Sequence, residues 1–188
     1  MEMQEKEKKN LRNEFIRTFR KSCRTDRVDI GKVKALLDRG EDINTRDDNG
    51  YTPLYYACVD KDRVWLKFVL EHGADINLTY NDKYCKENIL HVLARRSSLM
   101  LDIVCEYDVS KIINERDGKG LTPLDIVERD TFCGDDTRKA LRDILKGKGG
   151  KESKDISIDI SHKNGDKVLL DYTYSENMES AKAREISK

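Results

Sequence analysis

Apolar residues along the chain fall into short helical stripes broken by turn residues. Leu11, Phe15, Phe19 and Cys23 recur every four residues, with Ile16 beside Phe15, which predicts an amphipathic helix with a basic outer face. Val33, Leu36 and Leu37 form a second stripe and Leu66, Val69 and Leu70 a third; Gly40 and Gly73 follow them, where a left-handed C-cap is wanted. Thr52-Pro53 and Thr122-Pro123 each place a hydroxyl cap before a proline at the first helical position, where its missing N–H costs nothing. Helices are expected near 10–24, 29–39, 52–60, 63–71, 88–96, 99–107, 122–130 and 136–146. The period then switches from helical to alternating. Ile156, Ile158 and Ile160 precede Asn164-Gly165, and Val168, Leu170, Tyr172 and Tyr174 follow, a pattern that predicts a β-hairpin over 155–174.

The stripes repeat. VKALLDRGEDIN (33–44) recurs as LKFVLEHGADIN (66–77), with Asn44 and Asn77 33 residues apart. CEYDVSKIIN, ending at Asn114, is a worn third copy. RDDNGYTPL (46–54) recurs as RDGKGLTPL (116–124), and KENILHVLA (86–94) lies between them in the same phase. The stretch from Asn77 to Leu90 is three residues longer than its counterparts, so the second finger carries an insertion within Leu78 to Glu87. Each unit reads as helix, turn, helix and an extended finger, and such units bury their apolar faces only by stacking.

TPLYYA, ILHVLA and TPLDIV, each with an LLxxGADIN-like partner, resemble the ankyrin repeat. The resemblance implies an all-α solenoid of about four helix-turn-helix units over 10–146, the first a degenerate N-terminal cap. Residues 1–9 are then a flexible basic leader, 147–154 (GKGGKESK) a linker, and 175–188 a disordered tail. His91 fills the fourth place of the T-P-L-H pattern, where the resemblance implies hydrogen bonds that join neighbouring units. Tyr55 and Asp125 stand at that place in the flanking units.

Composition narrows the function. Of 188 residues, 37% are hydrophobic and 38% charged, against typical values of roughly 45–50% and about 25%. This fits a thin body with polar ends. Thirty-six basic residues balance 36 acidic ones. The basic excess lies in residues 1–28, with nine basic against five acidic residues. A neutral chain gives no general steering toward nucleic acid. No apolar run reaches the length of a membrane span, and MEMQEKEKKN has no apolar core for a secretory signal. Five scattered cysteines without a CxxC pair point to a reducing, cytoplasmic setting. His72, His91 and His162 lack metal-ligand spacing, and GKGG lacks the P-loop Ser/Thr. No enzyme activity, cofactor, metal or small-molecule substrate is expected.

Binding remains. Ankyrin-like proteins bind through finger tips and the inner-helix face, which here maps onto Arg46, Asp48, Asn49, Tyr51, Val59 and Asp60 in the first full unit. In the middle unit the matching positions are Tyr80, Asn81, Asp82, Lys83, Tyr84, Arg95 and Arg96. In the last they are Arg116, Lys119, Leu121, Arg129 and Asp130. Arg95, Arg96 and Arg129 would give one basic face, suited to an acidic or phosphorylated patch on a partner protein. The expected function is a monomeric, non-catalytic protein-interaction module. One alternative is a regulatory inhibitor or host-directed effector of an intracellular bacterium or large DNA virus. Another is a nucleic-acid or membrane-surface adaptor acting through the basic N-terminal helix.

Overall fold

A computed structural model describes residues 2–24, 30–82, 85–96, 98–156, 158–161, 167–170 and 185–186. Among the described residues eight α-helices form four antiparallel pairs: α1 (Glu2–Arg24) with α2 (Ile30–Asp38), α3 (Pro53–Val59) with α4 (Arg63–Glu71), α5 (Ile89–Arg95) with α6 (Leu101–Val104), and α7 (Pro123–Arg129) with α8 (Asp135–Gly147). Helices α1, α3, α5 and α7 stack in chain order to form the inner row. The all-α solenoid is therefore present. Helix α1 begins at Glu2, so residues 2–9 are helical where a flexible leader was expected. That run consists mostly of Glu, Lys, Gln and Met, strong helix formers, and holds no Gly or Pro to stop propagation.

The core is continuous from the cap to the last helix. Phe15 and Phe19 of α1 are fully buried, and Phe19 meets the Trp65 ring edge-on at 4.7 Å. Trp65 also packs edge-on to Phe68 at 5.1 Å. The stripe of α1 thus closes one end of the stack. At the other end α8 buries Leu141 and Leu145, and the Arg142 guanidinium forks onto Glu128 of α7.

Three outer helices end alike. The N–H groups of Glu41, Ala74 and Gly150 donate to the carbonyls of Leu36, Val69 and Leu145, five residues back. Gly40, Gly73 and Gly149 hold the left-handed residue at φ +96°, +84° and +86°. This Schellman closure reverses the chain into the next finger.

Two side chains then bind the second finger to the first. Asn44 donates through Nδ2 to the Gly73 carbonyl (3.3 Å) and accepts from the Asp75 N–H (2.7 Å). Arg46 donates to the Gly50 carbonyl (2.6 Å) and to the Thr79 carbonyl (3.0 Å) in the next finger. One further pair repeats this. Asn114 donates to the Gly149 carbonyl (3.0 Å) and accepts from Lys151 N–H (2.7 Å), while Arg116 donates to the Ser153 carbonyl (2.8 Å). Residues 147–154 are therefore not a flexible linker. They run from the end of α8 into a finger segment that closes in a 3-10 turn (Ser153–Asp155), held in the same hydrogen-bond frame; GKGGKESK has linker composition, and the frame is supplied by residues some 35 positions earlier.

Fingers one and three are tight turns of the same geometry. Asp47 and Asp117 each accept two N–H groups on Oδ1, from Asn49 and Tyr51 and from Lys119 and Leu121. The insertion makes the second finger a β-hairpin, β1 (Thr79–Asp82) with β2 (Cys85–Asn88), in register Thr79↔Asn88 to Asp82↔Cys85. The Gly118 N–H donates to the Lys86 carbonyl (2.9 Å), joining the hairpin to finger three.

In the tail, β3 (Ile158–Ser161) pairs antiparallel with β4 (Lys167–Leu170), within the stretch expected to form a hairpin. Its Asn164-Gly165 turn lies outside the described residues. β5 (Glu185–Ile186) pairs with β4, where the tail was expected to be disordered.

Truncation after Gly147 tests the last finger. It removes several hydrogen bonds of about 1 kcal/mol each. Thermal denaturation is expected to show a midpoint about 4–8 °C lower, for a loss of about 2 kcal/mol in a chain of this size. Arg116→Ala should move it in the same direction by less. An unchanged midpoint in both would show that the segment adds nothing.

Candidate functional site

The third position of each inner helix decides how neighbouring units are joined. In α5 the Asn88 side chain caps Leu90 and His91 N–H groups, and His91 Nδ1 accepts from the Asn88 N–H at 3.2 Å. With Nδ1 an acceptor, the ring proton sits on Nε2, which donates to the Leu121 carbonyl (3.0 Å) of the next unit. In α7 Asp125 takes that place with opposite polarity. Its carboxylate accepts from the Thr122 N–H (2.8 Å) and from the Ser153 N–H (3.0 Å). A donor there seeks a carbonyl of the next unit, and an acceptor seeks an N–H. In α3 the place belongs to Tyr55, which instead stacks on Tyr51 with ring centroids 4.0 Å apart.

Around that stack the tyrosines form a cluster between fingers one and two. Tyr80 is fully buried, 5.0 Å from Tyr55, and its hydroxyl lies 3.1 Å from the Thr52 hydroxyl. Tyr56 donates to the Asp47 carboxylate, and the Arg20 guanidinium lies 4.7 Å above the Tyr56 ring. Burial pushes the phenols of Tyr55, Tyr56 and Tyr80 above their usual range, so all three remain protonated donors at neutral pH.

The candidate contact residues divide into two groups. Asp48 and Asn49 are exposed at the tip of finger one, and Lys119 is exposed at the tip of finger three. Tyr51 and Tyr55 are half-buried at the mouth of the concave face. Val59 and Asp60 are half-buried at the end of α3. Arg96 caps α5 and is exposed, and Arg129 ends α7, also exposed. Asn81 and Asp82 lie on β1 opposite Lys86 and Cys85. Lys83 and Tyr84 lie outside the described residues.

The other residues are engaged within the fold, and for Tyr80 and Leu121 burial corrects the expectation. Tyr80 and Leu121 are buried and cannot meet a partner. Arg46 and Arg116 are the finger clamps described above. Arg95 bridges Glu87 (3.2 Å) and the buried Asp117, tying finger two to finger three. Burial pulls the Asp117 carboxyl upward, but N–H donation from Leu121 and Lys119 and the Arg95 contact outweigh it and hold it below its usual range. Asp130 turns its carboxylate onto the Phe132 and Cys133 N–H groups (2.9 and 3.2 Å), which opens the next turn.

A cleft of about 460 Å³ lies between α1 and finger one. Asn13, Ile16, Arg17, Arg20 and Lys21 form one wall and Asp47, Asp48 and Asn49 the other. The α1 residues are expected from sequence to form an end cap or, in the alternative reading, a basic adaptor surface. Their spacing at 13, 17, 20 and 21 marks one helix face, but nothing local places it opposite a finger.

Among the described residues no group of His, Cys, Asp and Glu could hold a metal ion, and no helix is long and apolar enough to cross a membrane. Burial pushes the thiols of Cys58 and Cys105 up, that of Cys105 to about 11, so neither is a thiolate at neutral pH.

Comparison with known proteins agrees with this geometry. Residues 7–80 match the family model for Ankyrin repeats (3 copies). The chain is 36% identical over 99 residues to ankyrin repeat protein FPV031 of Fowlpox virus (strain NVSL), covering 50% of this chain and 28% of that protein. It is 32% identical over 82 residues to ankyrin repeat-containing protein P1E11.10 of Schizosaccharomyces pombe, covering 44% and 38%. It is 40% identical over 50 residues to protein phosphatase 1 regulatory subunit 27 of Homo sapiens, covering 27% and 32%. Each match thus spans well under half of the relative. Residues 7–80 therefore resemble ankyrin repeats, and the relatives of this chain include proteins named for that repeat.

His91 carries a pH prediction. Burial lowers its pKa below the ordinary 6.5, so the unfolded chain binds the proton more readily. The stabilisation is present above about pH 6.5 and is lost as pH falls toward the folded-state value. The thermal midpoint is expected to fall between pH 7.5 and 5.5, and His91→Gln, which keeps an acceptor for the Asn88 N–H, should flatten that fall. Parallel curves for both proteins would refute it.

Proposed function

We propose that the chain is a non-catalytic adaptor that grips a partner protein with its concave inner-helix face and finger tips. The observation that carries this is the stacked Tyr51–Tyr55 pair, held half-buried at the mouth of the concave face. Behind it lie the buried Tyr80 and the Arg46 and Arg95 clamps, so the pair is presented on a rigid support. Tyr and Arg are the types enriched where interfaces concentrate their energy. Exposed Arg96 and Arg129 supply the basic positions, and favour an acidic or phosphorylated patch on the partner. Asp48, Asn49 and Lys119 form the polar rim.

A regulatory role is the second reading. It is favoured by similarity to a human phosphatase regulatory subunit and to an ankyrin repeat protein of a large DNA virus. The third reading is a nucleic-acid or membrane-surface adaptor acting through the basic N-terminal helix, and geometry disfavours its membrane form. The apolar face of α1, with Phe15, Ile16 and Phe19, is buried in the stack and is not available to lipid. A cytoplasmic setting and a monomeric state belong to the same proposal.

The test is capture of a partner from lysate by the full chain, by Tyr55→Ala/Arg96→Glu and by Arg96→Glu/Arg129→Glu. Arg95 is left intact because its reversal would break the Glu87–Arg95–Asp117 bridge. Each double variant is expected to weaken capture at least tenfold, and Arg96→Glu/Arg129→Glu, whose residues are exposed, should keep the parent's melting curve. Full capture by both variants would move the site off the concave face.

A further inference from the structure

Two histidine rings stand near helix ends among the described residues, and only one of them depends on staying neutral. His72 Nδ1 lies 2.7 Å from the Phe68 carbonyl, and both charge states of the ring can donate to an oxygen. His91 is placed the other way. Its Nδ1 accepts from the Asn88 N–H at 3.2 Å, and its Nε2 donates to the Leu121 carbonyl at 3.0 Å. A backbone N–H can only donate. A second ring proton therefore sets two donors against each other at Nδ1. No change of tautomer relieves them, since both ring nitrogens then carry hydrogen.

The place affected is a junction. Asn88 is the last residue of β2 and the cap of α5, and it is buried. Its side chain accepts from the Leu90 N–H and donates to the Ile112 carbonyl (2.8 Å) and the Glu115 carboxylate (3.1 Å). One residue thus joins the hairpin finger, an inner helix and the stretch that leads into finger three. A buried donor left without an acceptor is costly, and opening the place to water relieves it. Tyr55 and Asp125 hold the matching positions of α3 and α7, so this joint alone turns on an imidazole.

Charged and titratable groups approach from the elements packed on α5. Arg95 lies one turn on in α5 itself, Glu87 stands in β2, Glu115 and Asp117 come from finger three, Asp125 from α7 and Tyr55 from α3. Arg95 bridges Glu87 and Asp117, Glu115 accepts from Asn88, and Asp125 accepts from the Thr122 and Ser153 N–H groups. Among these side-chain types histidine alone ordinarily changes charge between pH 5 and 8. Burial opposes a charge on the ring and outweighs the Leu121 carbonyl and Asp117, which favour it. The closed joint therefore belongs to the neutral ring.

We propose that His91 is an acid-operated latch on the hairpin finger: a proton on its ring releases the base of that finger from α5 while the rest of the stack stays folded. The charged ring leaves the Asn88 N–H, the links from Asn88 to Ile112 and Glu115 slacken, and the Gly118 N–H loses its hold on the Lys86 carbonyl. A fall in thermal midpoint alone would not show this, since uniform weakening of the stack gives the same fall. The latch needs no partner, so its failure would leave the concave-face reading standing.

The test is amide hydrogen exchange of the full chain, read by NMR at pH 7.5 and 5.5 and corrected for the intrinsic pH dependence of exchange. Protection of the Asn88 and Gly118 N–H groups is expected to fall at least tenfold at the lower pH. The Asp75 and Lys151 N–H groups, which donate to Asn44 and Asn114, should change less than twofold. The loss should follow the titration of the His91 ring signals, and it should be absent in His91→Gln. Because the ring titration is read on the parent chain, the test holds even where the variant folds poorly. Unchanged protection at Asn88, an equal loss at all four amides, or a loss that follows another histidine or persists in folded His91→Gln would overturn the proposal.

Discussion

Everything in this solenoid hangs on a short-range bracket that acts over long sequence distance: an asparagine and an arginine two residues apart, each holding backbone of the finger that follows. Asn44 with Arg46 holds residues 73–79, and Asn114 with Arg116 holds residues 149–156. Fingers are irregular backbone with few apolar side chains of their own, so their N–H and C=O groups need partners from elsewhere. The bracket supplies them and sets the orientation of each unit on the next. Where the outer helix ends without a glycine, as after α6, the bracket changes form. Asn88 then reaches across to the Ile112 carbonyl at 2.8 Å, so the hairpin finger draws on the helix cap instead.

This explains why so many polar residues that look available are committed to the fold. Arg46, Arg95 and Arg116 are cations on or near the proposed binding face, yet each holds fingers together. Their contribution to function is indirect. They keep the Tyr51–Tyr55 stack and the exposed Arg96 in fixed places, so that a partner would meet a surface already ordered and lose less freedom on binding.

The units, their order and most helix bounds were legible because each depends on near neighbours. Thr-Pro starts, apolar stripes and terminal glycines act within one or two turns of helix. The candidate site was legible only as a face. Which of its residues are exposed was not, since Tyr80 and Tyr55 have the same side chain and differ only in what packs around them.

By itself the sequence determined the repeat period, the helix pairs, the extra length of the second finger and the capping role of Phe15 and Phe19. These follow from local propensity and periodic burial. Tertiary structure alone decided that residues 147–156 are a finger rather than a linker, that His91 and Asp125 serve one position with opposite polarity, and that Arg20 and Asp48 line one cleft. The physical reason is the same each time. Those outcomes turn on hydrogen bonds and charges between segments some 30 residues apart, and the direction of such contacts is fixed only once the units are stacked.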